Sequence, residues 1–356
     1  MLAVREFFRD RERRAIAAPP IVAAISLVLM LVCAITLGLP IRDPDAKYVS
    51  SPLAVIGLIV LVFMFIDVLP RAYSAWRLTE QGLLASITGV LKERWGNKRG
   101  LVVIGALVSF YVTYIAYRNL KSYLPFIRGD EQDGFLLEFD RFLFFGNDPG
   151  PVLHNLLGTG ASAHVLSFAY VAFLTFVPVS LGAALVWSTK LRPGLWYVTA
   201  LCTCWLLGAV SYYLIPSLGP IYAQPGLFSE LPATGVSQLQ SSLMENRLEV
   251  LYDPHTSGAV QSVAAFASLH VGVVFAAALI AHLCHLARLI RVALWSFLVL
   301  TVLGTIYFGW HYLIDDLAGF VLGFAAVYIS AWATGHHWRP FAGRSSSVPR
   351  SPAGAH

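Results

Sequence analysis

Residues 291–335 read RVALWSFLVLTVLGTIYFGWHYLIDDLAGFVLGFAAVYISAWATG. Two apolar runs, 291–309 and 312–335, flank a break no wider than Gly309-Trp310-His311. Each run is about as long as the ~20 residues a helix needs to cross a bilayer. The pair is therefore expected to form two membrane spans joined as a tight helical hairpin. His311 and Asp315 lie four residues apart at the break, on one helix face about a turn from each other. Ionisable groups kept beside hydrocarbon usually line a polar cavity or do chemistry.

The remaining sequence extends this pattern. The 356-residue chain is 57% hydrophobic and only 13% charged, with a mean hydropathy of +0.67. A soluble domain needs more surface charge than that, so the fold class is all-α, a polytopic integral membrane protein. Eight spans are expected, at 19–40, 52–70, 99–118, 163–188, 194–215, 266–287, 291–309 and 312–335. The basic start, Met1 to Arg14, precedes a run of full span length, which reads as a retained anchor rather than a cleaved signal. Cys33, Cys202, Cys204 and Cys284 all fall in apolar segments without metal-ligand spacing, so neither a metal site nor a disulfide is expected. Two polar connections, 119–162 and 216–265, interrupt the spans. Phe142-Leu143-Phe144-Phe145 in the first is suited to lying along the interface. The Ser-, Pro-, Gly- and Arg-rich tail, 339–356, reads as disordered.

Charge sets the orientation. With the N-terminus in the cytoplasm, 18 of the 25 Lys and Arg residues fall inside. Arg42, Lys47, Arg118, Lys121, Arg128, Arg141 and Arg247 are the seven outside. This follows the positive-inside rule, so the net charge of +5 marks topology and not a nucleic-acid partner. His270, His311 and Asp315 then face away from the cytoplasm. Three regions follow: a two-helix N-terminal membrane region with a basic cytoplasmic loop (1–97), a six-helix core (98–338) and the tail.

A carboxylate that accepts from one imidazole nitrogen fixes the tautomer and leaves the other nitrogen as a nucleophile. His311 braced by Asp315 fits that role, with attack on phosphorus giving a phosphohistidine. His270, opening the sixth span, is placed to protonate the leaving oxygen. Non-bridging phosphate oxygens need donors, and Ala267-Ser268-Leu269-His270 offers backbone N–H groups and the Ser268 hydroxyl at a helix N-terminus.

These residues resemble the type 2 phosphatidic acid phosphatase superfamily, whose motifs are Lys-x6-Arg-Pro, Pro-Ser-Gly-His and Ser-Arg-x5-His-x3-Asp. Ala267-Ser268-Leu269-His270 is similar to the second motif, and Gly304 to Asp315 to the third, with Thr305 at its Arg position. In the place of the first, Tyr212 stands for Lys, Gly219 for Arg, and Pro220 aligns. Ser-Leu-His, the Thr and the His-Tyr pair resemble the inositol-phosphorylceramide-synthase-like branch, the inositolphosphotransferases. The resemblance covers about 98–338. It implies His311 as nucleophile, Asp315 as its partner and His270 as acid, without metal or cofactor.

The cationic positions of the family are missing here, and Arg118, Arg128 or Arg141 are the replacements on the same side, Arg118 first. The phosphate-binding set is then Ser268, Leu269, Arg118, Tyr212 and Thr305. The expected partners are a membrane lipid substrate and a lipid or alcohol acceptor. A lipid phosphate or polyprenyl phosphate phosphatase is the neighbouring reading. A transporter with a His–Asp proton relay and a non-catalytic lipid-binding protein are the readings from other classes. Asp67 is the acid that lies well inside a span.

Overall fold

The computed structural model describes residues 11–43, 52–79, 82–187 and 191–336. The expected disordered tail lies outside the described residues. All the described regular elements are helical. They are α1 (Arg11–Leu37), α2 (Pro52–Leu78), α3 (Leu83–Trp95), α4 (Asn97–Ile127), α5 (Asp133–Leu143), α6 (Pro149–Leu157) and α7 (Ala161–Gly182). After a π-turn at Ala183–Trp187 come α8 (Leu191–Leu214), α9 (Pro220–Ala223), α10 (Gly235–Tyr252), α11 (Leu269–Leu283), α12 (Arg288–Tyr307) and α13 (Leu313–Ala333). Each of the eight expected spans falls on one helix. Six of these helices, α1, α4, α7, α8, α12 and α13, are long and apolar enough to cross a membrane. The sixth span is shorter than expected, 15 residues in α11. Exposed Ile35, Phe168, Val321 and Trp332 belong to an apolar girdle of the kind that hydrocarbon covers.

The centre of the bundle is α8, which packs against α1, α4, α11 and α13. The first polar connection is partly helical: α4 runs on to Ile127, so Arg118 and Lys121 lie within it. α5 is amphipathic, with Leu136 and Leu137 buried and Phe135 and Phe142 exposed. At one end of the bundle, Arg94 pairs with buried Asp67, which also accepts from Arg71 and the Trp95 indole. Arg99 and Arg94 donate to the Val186 carbonyl there, Arg192 to Gly335 and Arg14 to Trp332. Basic residues thus gather where α4 and α8 begin and α13 ends. The opposite end, where α4, α8 and α12 finish and α11 and α13 start, carries His270, His311 and Asp315.

The α12–α13 connection turns as tightly as expected, but the helices do not form a packed hairpin. Gly309 makes the reversal at φ +66°, a backbone conformation that glycine adopts without strain. Beyond the turn, α13 packs chiefly on α11 and α8, and α11 also packs on α12. The reason is the small-residue face Gly319-x-x-x-Gly323 of α13, which meets Gly272 of α11 backbone to backbone. Such faces let helices approach closely where lipid supplies no hydrophobic drive. A methyl group on Gly319 would overlap the Ser268 carbonyl oxygen. Gly319→Ala is expected to destabilise the protein by about 1–3 kcal/mol, the range of core overpacking. Gly105→Ala in α4, where a Cβ meets nothing, should be neutral or stabilising. Equal thermal midpoints in detergent for the two variants would show that the close crossing is dispensable.

Candidate active site

Three local structures bring the site residues together. Ser268 caps α11 by accepting from the Val271 N–H, which sets His270 in the first turn. The 308–312 turn folds back on α12, where the Thr305 carbonyl accepts the Trp310 N–H at 2.9 Å and the His311 N–H at 3.4 Å. Asp315 Oδ2 accepts the Tyr312 N–H at 2.9 Å and so closes the first turn of α13. The Ser268 N–H donates to the Asp315 carbonyl at 2.9 Å, tying α11 to α13 directly.

The result is a line of three side chains. His270 Nδ1 lies 3.3 Å from His311 Nε2, and His311 Nδ1 lies 3.5 Å from Asp315 Oδ2. The second contact is longer than a closed hydrogen bond, as is common before a substrate is bound. Asp315 is fully buried and His311 nearly so. Burial first, then the charges of His270 and Lys121, hold the His311 imidazole well below its ordinary range, so it stays neutral. A proton on Nδ1, beside Asp315, leaves the Nε2 lone pair facing His270. Phe173 and Tyr170 flank the His270 ring at 4.5 and 4.8 Å, and Tyr170 stacks on Trp310 at 5.3 Å.

His270 and His311 line a cavity of about 450 Å³. Near them α4 and α8 supply the polar wall. The Lys121 ammonium sits 4.7 Å from the Tyr212 ring centre and 3.5 Å from the Tyr117 hydroxyl. The Tyr117 and Tyr212 hydroxyls are 3.1 Å apart, and Arg118 donates to the Tyr114 hydroxyl at 3.0 Å. Farther along α4 and α7 the lining becomes apolar, with Phe110, Leu174 and Val177. Phe110 to Lys121 covers about 16 Å at 1.5 Å per residue. One end of the cavity is cationic and the other is greasy.

The expected residues therefore divide. His270, His311 and Asp315 stand together, and Leu269, Arg118 and Tyr212 line the same cavity. Ser268 and Thr305 lie behind it, both buried. The Thr305 hydroxyl donates to Asp316 at 2.8 Å, with Ser268 bonded to the same carboxylate. Arg128 is engaged with Asp130 and the Tyr213 carbonyl, and Arg141 with Asp148, so both are tied to other partners. The sequence reading passed over Lys121, although the spacing Tyr117-Arg118-x-x-Lys121 was there to be read. It also passed over Asp133 and Asp140, seven apart on α5. Burial pushes the Asp140 carboxyl up to about 6, against the opposing N–H groups of Leu313 and Ile314.

Fold and site together define a helical membrane protein with a His–His–Asp line beside a cavity that is cationic at one end and apolar at the other. The family model described as the PAP2 superfamily matches residues 134–329, more than half of the sequence, and the chain belongs to that superfamily. Its members are phosphatases or phosphotransferases, which supports a function of that type on lipid for this chain. Comparison with curated proteins finds no match, and neither does comparison with solved structures.

Proposed function

We propose that this protein is a lipid phosphotransferase that moves a phosphate-bearing head group, of the inositol-phosphate type, through a phosphohistidine at His311. The observation that carries the reading is the 3.3 Å approach of His270 Nδ1 to His311 Nε2, with Asp315 behind the far ring nitrogen. In the first half-reaction His311 Nε2 bonds to phosphorus, and the bond from phosphorus to the lipid oxygen breaks. His270 gives that oxygen its proton. In the second, an acceptor hydroxyl loses its proton to His270 and attacks phosphorus, and the N–P bond breaks. Asp315 holds the Nδ1 proton throughout and offsets the imidazolium charge. Lys121 and Arg118 at the cationic end take the non-bridging oxygens, with Tyr212 and the Leu269 backbone beside them.

A hydrolytic second step uses the same groups with water as acceptor. The pairing of two cations on α4 favours it, because a phosphomonoester carries up to two charges and a phosphodiester one. The basic residues at the opposite end of the bundle support a cytoplasmic placement of that end, and with it a reaction at the outer face of the cell membrane.

Purified protein incubated with phospholipids and polyprenyl phosphates, with and without inositol-type alcohols, tests the reading. A new lipid species identifies the transferase and free phosphate the phosphatase; turnover of none of them rejects both. Lys121→Ala is expected to lower kcat/KM roughly 10- to 100-fold, the equivalent of one charge-assisted hydrogen bond of about 1.5–3 kcal/mol. An unchanged kcat/KM would remove Lys121 from the site.

A further inference from the structure

We infer that Asp133 and Asp140 are positioning residues, which make α5 a brace across the two backbone segments that frame the reaction centre. Asp133 accepts the Leu218 N–H at 2.9 Å and the Gly219 N–H at 2.9 Å. It also accepts the Tyr312 hydroxyl at 3.0 Å. Asp140 accepts the Leu313 N–H at 2.7 Å and the Ile314 N–H at 3.0 Å. Leu313 and Ile314 lie between His311 and Asp315, and Leu218-Gly219 follows α8 beyond Tyr212. The two carboxylates are two helical turns apart on one face, and both are buried.

These are charge-assisted bonds, each about twice as strong as a neutral one. The Asp140 pair fixes free N–H groups at the start of α13, which intrahelical bonding leaves open. Between the carboxylates, Leu136 and Leu137 pack with Tyr312, and the Gln132 N–H donates to the Pro216 carbonyl at 2.7 Å. The opposite side of the brace carries exposed Phe135 and Phe142, and Phe145 follows the helix at 96% exposure. Aromatic side chains of this kind seat an amphipathic helix in the headgroup region. Neither aspartate lines the cavity of about 450 Å³, so each acts through the groups it holds.

The test compares the wild-type chain with Asp140→Asn, Asp133→Asn and the milder Tyr312→Phe. The kinetic arm rests on the proposed function and uses the panel lipid that the wild type turns over. There kcat is expected to fall about 10- to 100-fold in each Asn variant, since displacement of about 1 Å at a reacting group has effects of that order. KM should stay within about twofold. Tyr312→Phe should lose a smaller factor in kcat, and it carries the test if an Asn variant does not fold. In the second arm, hydrogen–deuterium exchange without substrate should be faster over 312–316 in Asp140→Asn and over 217–220 in Asp133→Asn. A raised KM with unchanged kcat would make the aspartates substrate contacts and overturn the brace. Unchanged exchange would overturn it whether or not the protein turns over any lipid, so its failure is separable from that of the phosphotransferase reading.

Discussion

His311→Ala should abolish phosphate transfer, with a loss of at least about 10⁴-fold in kcat. A covalent route has no substitute for its nucleophile, and removal of one such group costs nearly as much as removal of the whole constellation. The position is specific. His270 is held between Tyr170 and Phe173 with Nδ1 toward His311, whereas the carboxylate of Asp315 stands beside His311 Nδ1. Incubation with a lipid labelled on phosphorus, followed by rapid denaturation in alkali, should leave label on wild-type protein and none on His311→Ala. His285→Ala, on the turn after α11 and remote from the cavity, should label normally. Label retained on His311→Ala, or turnover retained without it, would exclude this nucleophile.

Asp315→Asn is expected to lower kcat by roughly 10²- to 10⁴-fold with little change in KM. Asp315 Oδ2 already accepts the Tyr312 N–H, and an Asn carbonyl can keep that bond. The same Oδ2 faces His311 Nδ1 at 3.5 Å, so the amide oxygen also keeps that contact. What is lost is the negative charge that offsets the imidazolium as the N–P bond forms, and the penalty falls on the transition state. Asp316→Asn is the control. Its carboxylate is spent on Thr305 and Ser268, so its loss should appear in thermal stability, with kcat within about tenfold. Similar kcat losses in the two variants would mean that Asp315 is only structural.

Much of this architecture was legible in the chain. The long helices follow from apolar length, which acts locally and is visible in one dimension. The pairing of His311 with Asp315 is a four-residue helical spacing. What escaped notice depended on partners far apart in sequence. Lys121 reads as a basic residue after a span until α4 is seen to continue as a helix to Ile127, which turns its side chain toward Tyr212. Ser268 and Thr305 look like phosphate donors from their motif positions, yet each hydroxyl is claimed by Asp316, a residue that reads as a helix-dipole ornament. The packed hairpin expected from the short turn at Gly309 gives way to pairing of α13 with α11. Gly319 and Gly323 carried that information, but only the position of Gly272 on another helix gives it meaning.

The helix that bears Arg118 and Lys121 ends at Ile127, before the superfamily match begins at residue 134. In the proposed reaction, the two cations that hold the phosphate and the groups that break its bond thus sit on separate stretches of polypeptide. Recombining α4 with that of a relative offers a way to redirect which lipid is chosen while leaving the reacting groups intact. Divergence of substrate taste among such proteins then requires no change in the inherited reaction module.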